Sequence, residues 1–376
     1  MVCHLVLCLM AYPASIATPL PGMPPVLNPQ DIYAADHAND LSPVVKAFPA
    51  YVYVPDTGSN RVDIIDPRTF KIVRRFKVGR QPQHVTPSYD LKTLWVLNDL
   101  GDSLTRIDPS TGKKRNTVKV KDPYNMYYTP DGKFAIVVAE RIHQLDFRDP
   151  ETMELKDSLR VPCHGVDHMD FTADGRFLIA SCEFSAELIK VDVAKREVVG
   201  TLAFHDEAEH RPVHHPGHSV EFNPSGMPQD VKTSPDGAVF YVADMVAGGV
   251  YLVDPDRFQI VGFLPTGEGA HGLYASRDSK VLYVSNRDEG SISVIDFASR
   301  RVVEKWQLPG GSPDMGGVSS DGKVLWLSGR YSKEVYAIDT QTGKLLARIR
   351  VGKGPHGLCV YPQPGRYSLG HTGVFR

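Results

Sequence analysis

The chain has 376 residues, 42% hydrophobic and 23% charged, with 32 glycines and 29 prolines. That is the make-up of a globular protein rich in tight turns rather than of a disordered one. Its 42 Lys and Arg face 44 Asp and Glu for a net charge of −2, so it lacks the basic excess that neutralises phosphates, and nucleic acid is disfavoured as a partner.

Residues 1–25 hold an apolar run from Leu5 to Ala11, then small residues at Ala14, Ser15 and Ala17. The run is too short to span a bilayer. The segment reads either as a signal peptide without its basic n-region or as a disordered leader; export to the periplasm or exterior is the favoured reading and the cytoplasm the alternative. Residues 26–49 read as an N-terminal extension, and from Tyr51 to Val78 three short β-rich runs follow.

An acidic turn then recurs: SYDLK (Asp90), TPDGK (Asp131), TADGR (Asp174), SPDGA (Asp236), SRDSK (Asp278), SSDGK (Asp321) and a degraded copy near Gln363, at spacings of 41, 43, 62, 42, 43 and 42 residues. That is the period of a four-stranded propeller blade. A second marker, an apolar run ending in Asp66, Asp108, Asp146, Asp192, Asp254, Asp296 and Asp339, also counts seven. Asp before Pro, Ser or Thr suits an Asx-type turn, so these aspartates are read as structural. Each repeat supplies strands a, b, c and d, with the acidic turn between a and b. The chain opens on b, c and d and ends on a lone a strand from His356 to Pro362, so its two ends complete one blade and remove the open edges. The expectation is an all-β, seven-bladed β-propeller over residues 50–363, with residues 364–376 as a tail outside the repeat.

The strings YVYVPDTGSNRVDIIDP, LYVSNRDEGSISVIDF and GPHGLCVYP resemble the YVTN-type β-propeller repeat proteins. The resemblance covers about residues 50–363 and implies the fold. It does not imply one function, because similar repeats occur in surface-layer proteins, lactonase-like propellers, haem d1-binding domains and single-stranded-DNA-binding periplasmic proteins. Haem d1-type domains are usually eight-bladed, which disfavours haem for seven repeats.

In a propeller the d-to-a and b-to-c connections share one face, so the starts of the a strands and the ends of the b strands gather at one mouth of the central channel. The a strands bring the pairs Gln83-His84, Tyr124-Asn125, Asp167-His168, Gln229-Asp230, His271-Gly272, Asp314-Met315 and His356-Gly357. The alternation of side chains leaves open which member of each pair faces inward. The b strands bring Asp56, Asn98, Glu140, Glu183, Asp244, Asn286 and Gly329. Imidazoles with carboxylates around a concavity are ligands for a divalent transition metal and serve acid–base chemistry; polar groups that merely solvate the opening are the alternative.

The ligand-binding set is therefore His84, Asn125, His168, Asp230, His271, Asp314, His356, Glu140, Glu183 and Asp244, with His168, His271 and His356 as metal ligands. An insertion between repeats, residues 205–226, adds His210, His214, His215 and His218 as loop ligands, although their spacing matches no defined zinc motif. Cys163 and Cys182 flank one a–b pair and read as a disulfide, two buried thiols, or metal ligands. No nucleophile elbow, phosphate loop or dinucleotide fingerprint is present. The functional expectation is a binding protein for a metal ion or small ligand at the channel mouth. The alternatives are a metal-assisted, lactonase-like hydrolase and a scaffold that docks another protein on the loop face.

Overall fold

The computed structural model describes residues 18–204 and 225–376. It is a seven-bladed, all-β propeller of four-stranded antiparallel blades. Six blades run in chain order, their inner strands being Pro82–Pro87, Asn125–Tyr128, Val166–Phe171, Pro228–Thr233, Ala270–Ala275 and Pro313–Val318. The seventh joins the two ends: Cys359–Tyr361 pairs with Tyr51–Asp56, Val360 opposite Val52.

Burial falls from the axis outwards. Every residue of the inner strand Val166–Phe171 is buried, whereas the outermost strand Lys71–Lys77 alternates exposed and half-buried. The core lies between blades, where faces meet: Trp326 of the sixth blade packs with Val52, Val54, Leu358 and Val360 of the closing blade. Burying such side chains contributes about 1.5–3 kcal/mol each.

Both markers are turn chemistry. A Ser or Thr hydroxyl donates to the marker carboxylate at 2.7 Å for Ser88 and Asp90, and at 2.6 Å for Thr129 and Asp131, Thr172 and Asp174, Ser234 and Asp236, and Ser319 and Asp321. At the second marker the backbone N–H two or three residues on donates to Asp66, Asp108, Asp192, Asp254, Asp296 and Asp339.

The face carrying the acidic turns is covered. The N-terminal segment crosses it, the N–H groups of Leu20, Ile32 and Asn39 donating to the carbonyls of Asp174, Pro235 and Ser320 at 2.7–2.8 Å. After the last repeat the chain enters the channel, where Ser368–Gly370 and Val374–Phe375 extend the second blade from its inner edge, Gly370 opposite Tyr127. Gly370 is required there: its φ is +103°, and a Cβ would lie 2.5 Å from the Met126 carbonyl oxygen. No helix among the described residues is long and apolar enough to cross a membrane.

Candidate functional site: a ring of imidazoles in the channel

The inner strands do not begin as regular ladders. Register slips between Pro82 and His84, Val166 and Met169, Pro228 and Val231, Ala270 and Leu273, and Pro313 and Gly316. Residues inside such a bulge leave the alternation, and the local kink re-aims their side chains. Adjacent residues such as Asp167 and His168 are therefore buried together at the axis, a result that alternation alone does not give.

Four histidines from blades one, three, five and seven, with His371 from the tail, close a circuit. Ring centroids are 6.0 Å apart for His271 and His168, 4.8 Å for His168 and His371, 5.3 Å for His371 and His84, 4.8 Å for His84 and His356, and 6.0 Å for His356 and His271. All five are at most 3% exposed. Gly357 makes room for His84, because a Cβ there would meet its Nδ1 at 2.0 Å.

Two side chains orient three of the rings. Asn125 Nδ2 lies 3.0 Å from Nδ1 of both His168 and His371, while its Oδ1 accepts the Met126 N–H. An amide nitrogen only donates, so both rings accept at Nδ1 and carry their proton on Nε2. Asp314 holds a third, Oδ2 at 2.7 Å from Nδ1 of His356, while its Oδ1 lies 3.4 Å from Nδ1 of His271 without a hydrogen bond, and its charge is balanced by Arg287, whose Nε donates at 2.9 Å. Nε2 of His168, His356 and His371 and both nitrogens of His84 have no hydrogen-bond partner among the described residues. The nearest carboxylates are Asp167 Oδ1, 3.2 Å from Nε2 of His168, and Asp230 Oδ1, 3.8 Å from Nε2 of His371. His168, His371 and Asp230 can each bring one ligand atom within 4.8 Å of the others.

Burial holds these imidazoles neutral. It pushes His168 down to about 3, Arg287 adding to the effect and Asp314 opposing it. Burial, then the neighbouring rings and arginines, lowers His84, His271, His356 and His371 well below the usual range; for His271, Asp314 opposes this. The carboxyls move the other way. Burial raises Asp230 to about 7 against Lys232. Burial and mutual repulsion raise Asp167 and Glu140, and burial raises Glu183, whose carboxylate accepts Gln229 Nε2 at 3.0 Å.

The expected second ring divides. Glu140 and Glu183 stand close enough to Asp167 to shift its titration. Asp244 accepts the backbone N–H groups of Met227, Val246 and Ala247. Asn98 and Asn286 donate to Ser and Thr hydroxyls of the neighbouring strand, and Asp56 accepts from Arg61. His210, His214, His215 and His218 lie outside the described residues. Cys163 and Cys182 are joined in a disulfide beside the bulge that carries His168. His371 escaped the sequence reading because it lies outside the repeat; its one signal is a histidine in a glycine-flanked segment, GHTG.

The YNCE-like β-propeller family model matches residues 6–149 and 222–365. The chain belongs to the YNCE-like β-propeller family. None of the curated proteins matches it. Among solved structures this YNCE-like propeller is similar to Kuenenia stuttgartiensis hydrazine synthase (19% identity, 81% of this chain and 99% of that chain, TM-score 0.62). It is also similar to a functionally unknown protein from Desulfotomaculum acetoxidans (14%, 82% and 98%, 0.66), and to dihydro-haem d1 dehydrogenase NirN in complex with DHE (16%, 82% and 74%, 0.60). At such identities the likeness is one of fold.

Proposed function

We propose that this YNCE-like propeller is a metal-binding protein whose channel holds a divalent first-row transition ion through the imidazoles of His84, His168, His271, His356 and His371, with Asp230 beside them. One observation carries the reading: buried rings converge with unpartnered nitrogens while Asp314 fixes Nδ1 of His356; ligation by Nε2 of His168 and His371 requires the Asn125 amide to turn over, so that its oxygen accepts from their Nδ1–H groups. Buried polar atoms are normally satisfied, and a ligating histidine normally has its other nitrogen fixed by an outer partner. Neutral imidazole suits zinc, copper, iron or nickel over magnesium or calcium. Rings this close leave no flat slot for a macrocycle, which supports a bare ion over haem. The disulfide supports an exported protein, since such bonds persist in oxidising compartments.

The test is elemental analysis and a visible spectrum of protein purified without chelator or affinity histidines. One equivalent of metal, lost in H84A/H168A with the fold intact by circular dichroism, is the expected result. Metal-free protein that takes up no zinc, copper, iron or nickel on titration overturns it.

A hydrolytic use of the same centre is favoured by the raised carboxyls of Asp167, Glu140 and Glu183, since surroundings that favour the protonated carboxyl suit general-acid work. The bound ion would supply Lewis-acid activation. Chelator-sensitive turnover of a lactone or ester is the expected outcome; no turnover of either class with any of the four metals removes this reading.

A further inference from the structure

On the covered face, away from the imidazoles, a small pocket open to solvent lies between the N-terminal segment, the tail and the inner strands of blades four to six. Lys232 and Asp36 stand in its lining. Lys232 is 8% exposed, and its ammonium has no hydrogen-bond acceptor or ion-pair partner among the described residues, only the face of Tyr33 at 5.6 Å. Asp36 is 7% exposed; its carboxylate has no ion-pair partner among the described residues, and its Oδ1 has no hydrogen-bond partner.

Removing either charge from water without a partner costs several kcal/mol. An ammonium and a carboxyl that line one pocket without pairing with each other leave a donor and an acceptor open to a ligand. We infer that this pocket binds the head group of a free apolar amino acid, its carboxylate on Lys232 and its ammonium on Asp36, with the side chain against Tyr274, Val318 and Phe375. Glycines 316 and 317 keep the wall beside Val318 low. The alternative partner for Lys232, Asp170, is already engaged by Arg376 at 3.0 Å and by the Thr233 N–H at 3.0 Å. Burial raises the Asp36 carboxyl to about 7 against the pull of Arg277, Arg376 and Lys232, so in the empty pocket it is partly protonated, and a ligand ammonium would return it to the carboxylate.

Isothermal titration of the full chain with L-leucine, 3-methylbutylamine and 4-methylpentanoate tests this directly. Leucine should bind, and each half-analogue should bind at least about tenfold more weakly, the loss expected when one charge-assisted bond is missing. K232M should bring leucine down to the level of the amine, and D36N down to that of the acid. The Lys232 side chain makes no hydrogen bond among the described residues, so K232M should fold, and wild-type binding does not depend on either variant. No heat with leucine overturns the inference. So does 4-methylpentanoate binding as tightly as leucine, which would mark a simple anion site, and so does leucine binding unchanged in both variants.

Discussion

Asn125 and His168 show how single side chains set the character of the site. Asn125 offers one amide nitrogen to two rings, so replacing it with alanine frees His168 and His371 to rotate without removing a donor of their own. N125A should weaken metal binding by about 10–100-fold, the usual cost of losing an outer partner, read by competition against a chromophoric chelator with the fold unchanged. His168 makes a second prediction, in the metal-free protein. Its folded value of about 3 lies below the ordinary 6.5 or so of an unfolded histidine, so the unfolded chain takes the proton first. Its stabilising contribution is present above the unfolded value and is lost as pH falls through that window. Asp230, raised to about 7, acts in the opposite sense: its contribution is present below about 4 and is lost as pH rises through 7. Comparing H168Q with the parent isolates the histidine. Between pH 6 and 4 the variant's stability should depend on pH less steeply, by up to about 1.4 kcal/mol per unit. Equal slopes would mean that His168 is not held neutral.

At the scale of elements, the tail and the bulges build the site. G370A would place a Cβ against the Met126 carbonyl and the Tyr127 Cα, both at 2.5 Å, at a φ of +103°, so the strand carrying His371 should leave its seat on the second blade. The expected result is faster proteolysis of residues 366–376 and a metal affinity no better than that of H371A; tight, parent-like binding would show that His371 is not a ligand. The disulfide belongs to this scale too. It closes a 19-residue separation between the inner and second strands of the third blade, so C182A should lower stability by about 3 kcal/mol in chemical unfolding. Much of this architecture was legible in the sequence because turn chemistry repeats: a hydroxyl two residues before Asp131 or Asp236 makes the same contact each time. His84, His168, His271 and His356 were legible for the same reason, each standing at a fixed offset from a turn. Their inward facing was not, because a bulge suspends the period-two rule. For Asp244 the sequence does not separate two roles, because a carboxylate that caps backbone N–H groups looks the same in sequence as one that meets a ligand. His371 was out of reach because no repeat predicts where a tail goes.

For the whole molecule, the ring of imidazoles draws on blades one, three, five and seven and the tail, so a metal at the axis would link segments from His84 to His371. The propeller is closed by three ladder pairs, Tyr51 with Tyr361, Val52 with Val360 and Tyr53 with Cys359, by a bridge between Asp56 and Pro355, and by packing against the sixth blade. A ligand that binds only the folded state stabilises it by about 2.7 kcal/mol at a hundredfold excess over Kd. Because the ligands span nearly the whole propeller, that gain should reach the global unfolding transition. In urea, metal-loaded protein should unfold in one transition at a higher midpoint than chelated protein, with the same slope, since the surface exposed is unchanged. The shift should vanish in H84A/H371A, where two of the five rings are gone. A metal-dependent shift that survives in this variant would place the ion elsewhere. A metal-dependent step that splits from the main transition would mean that the ion secures one blade and its neighbours rather than the closed ring.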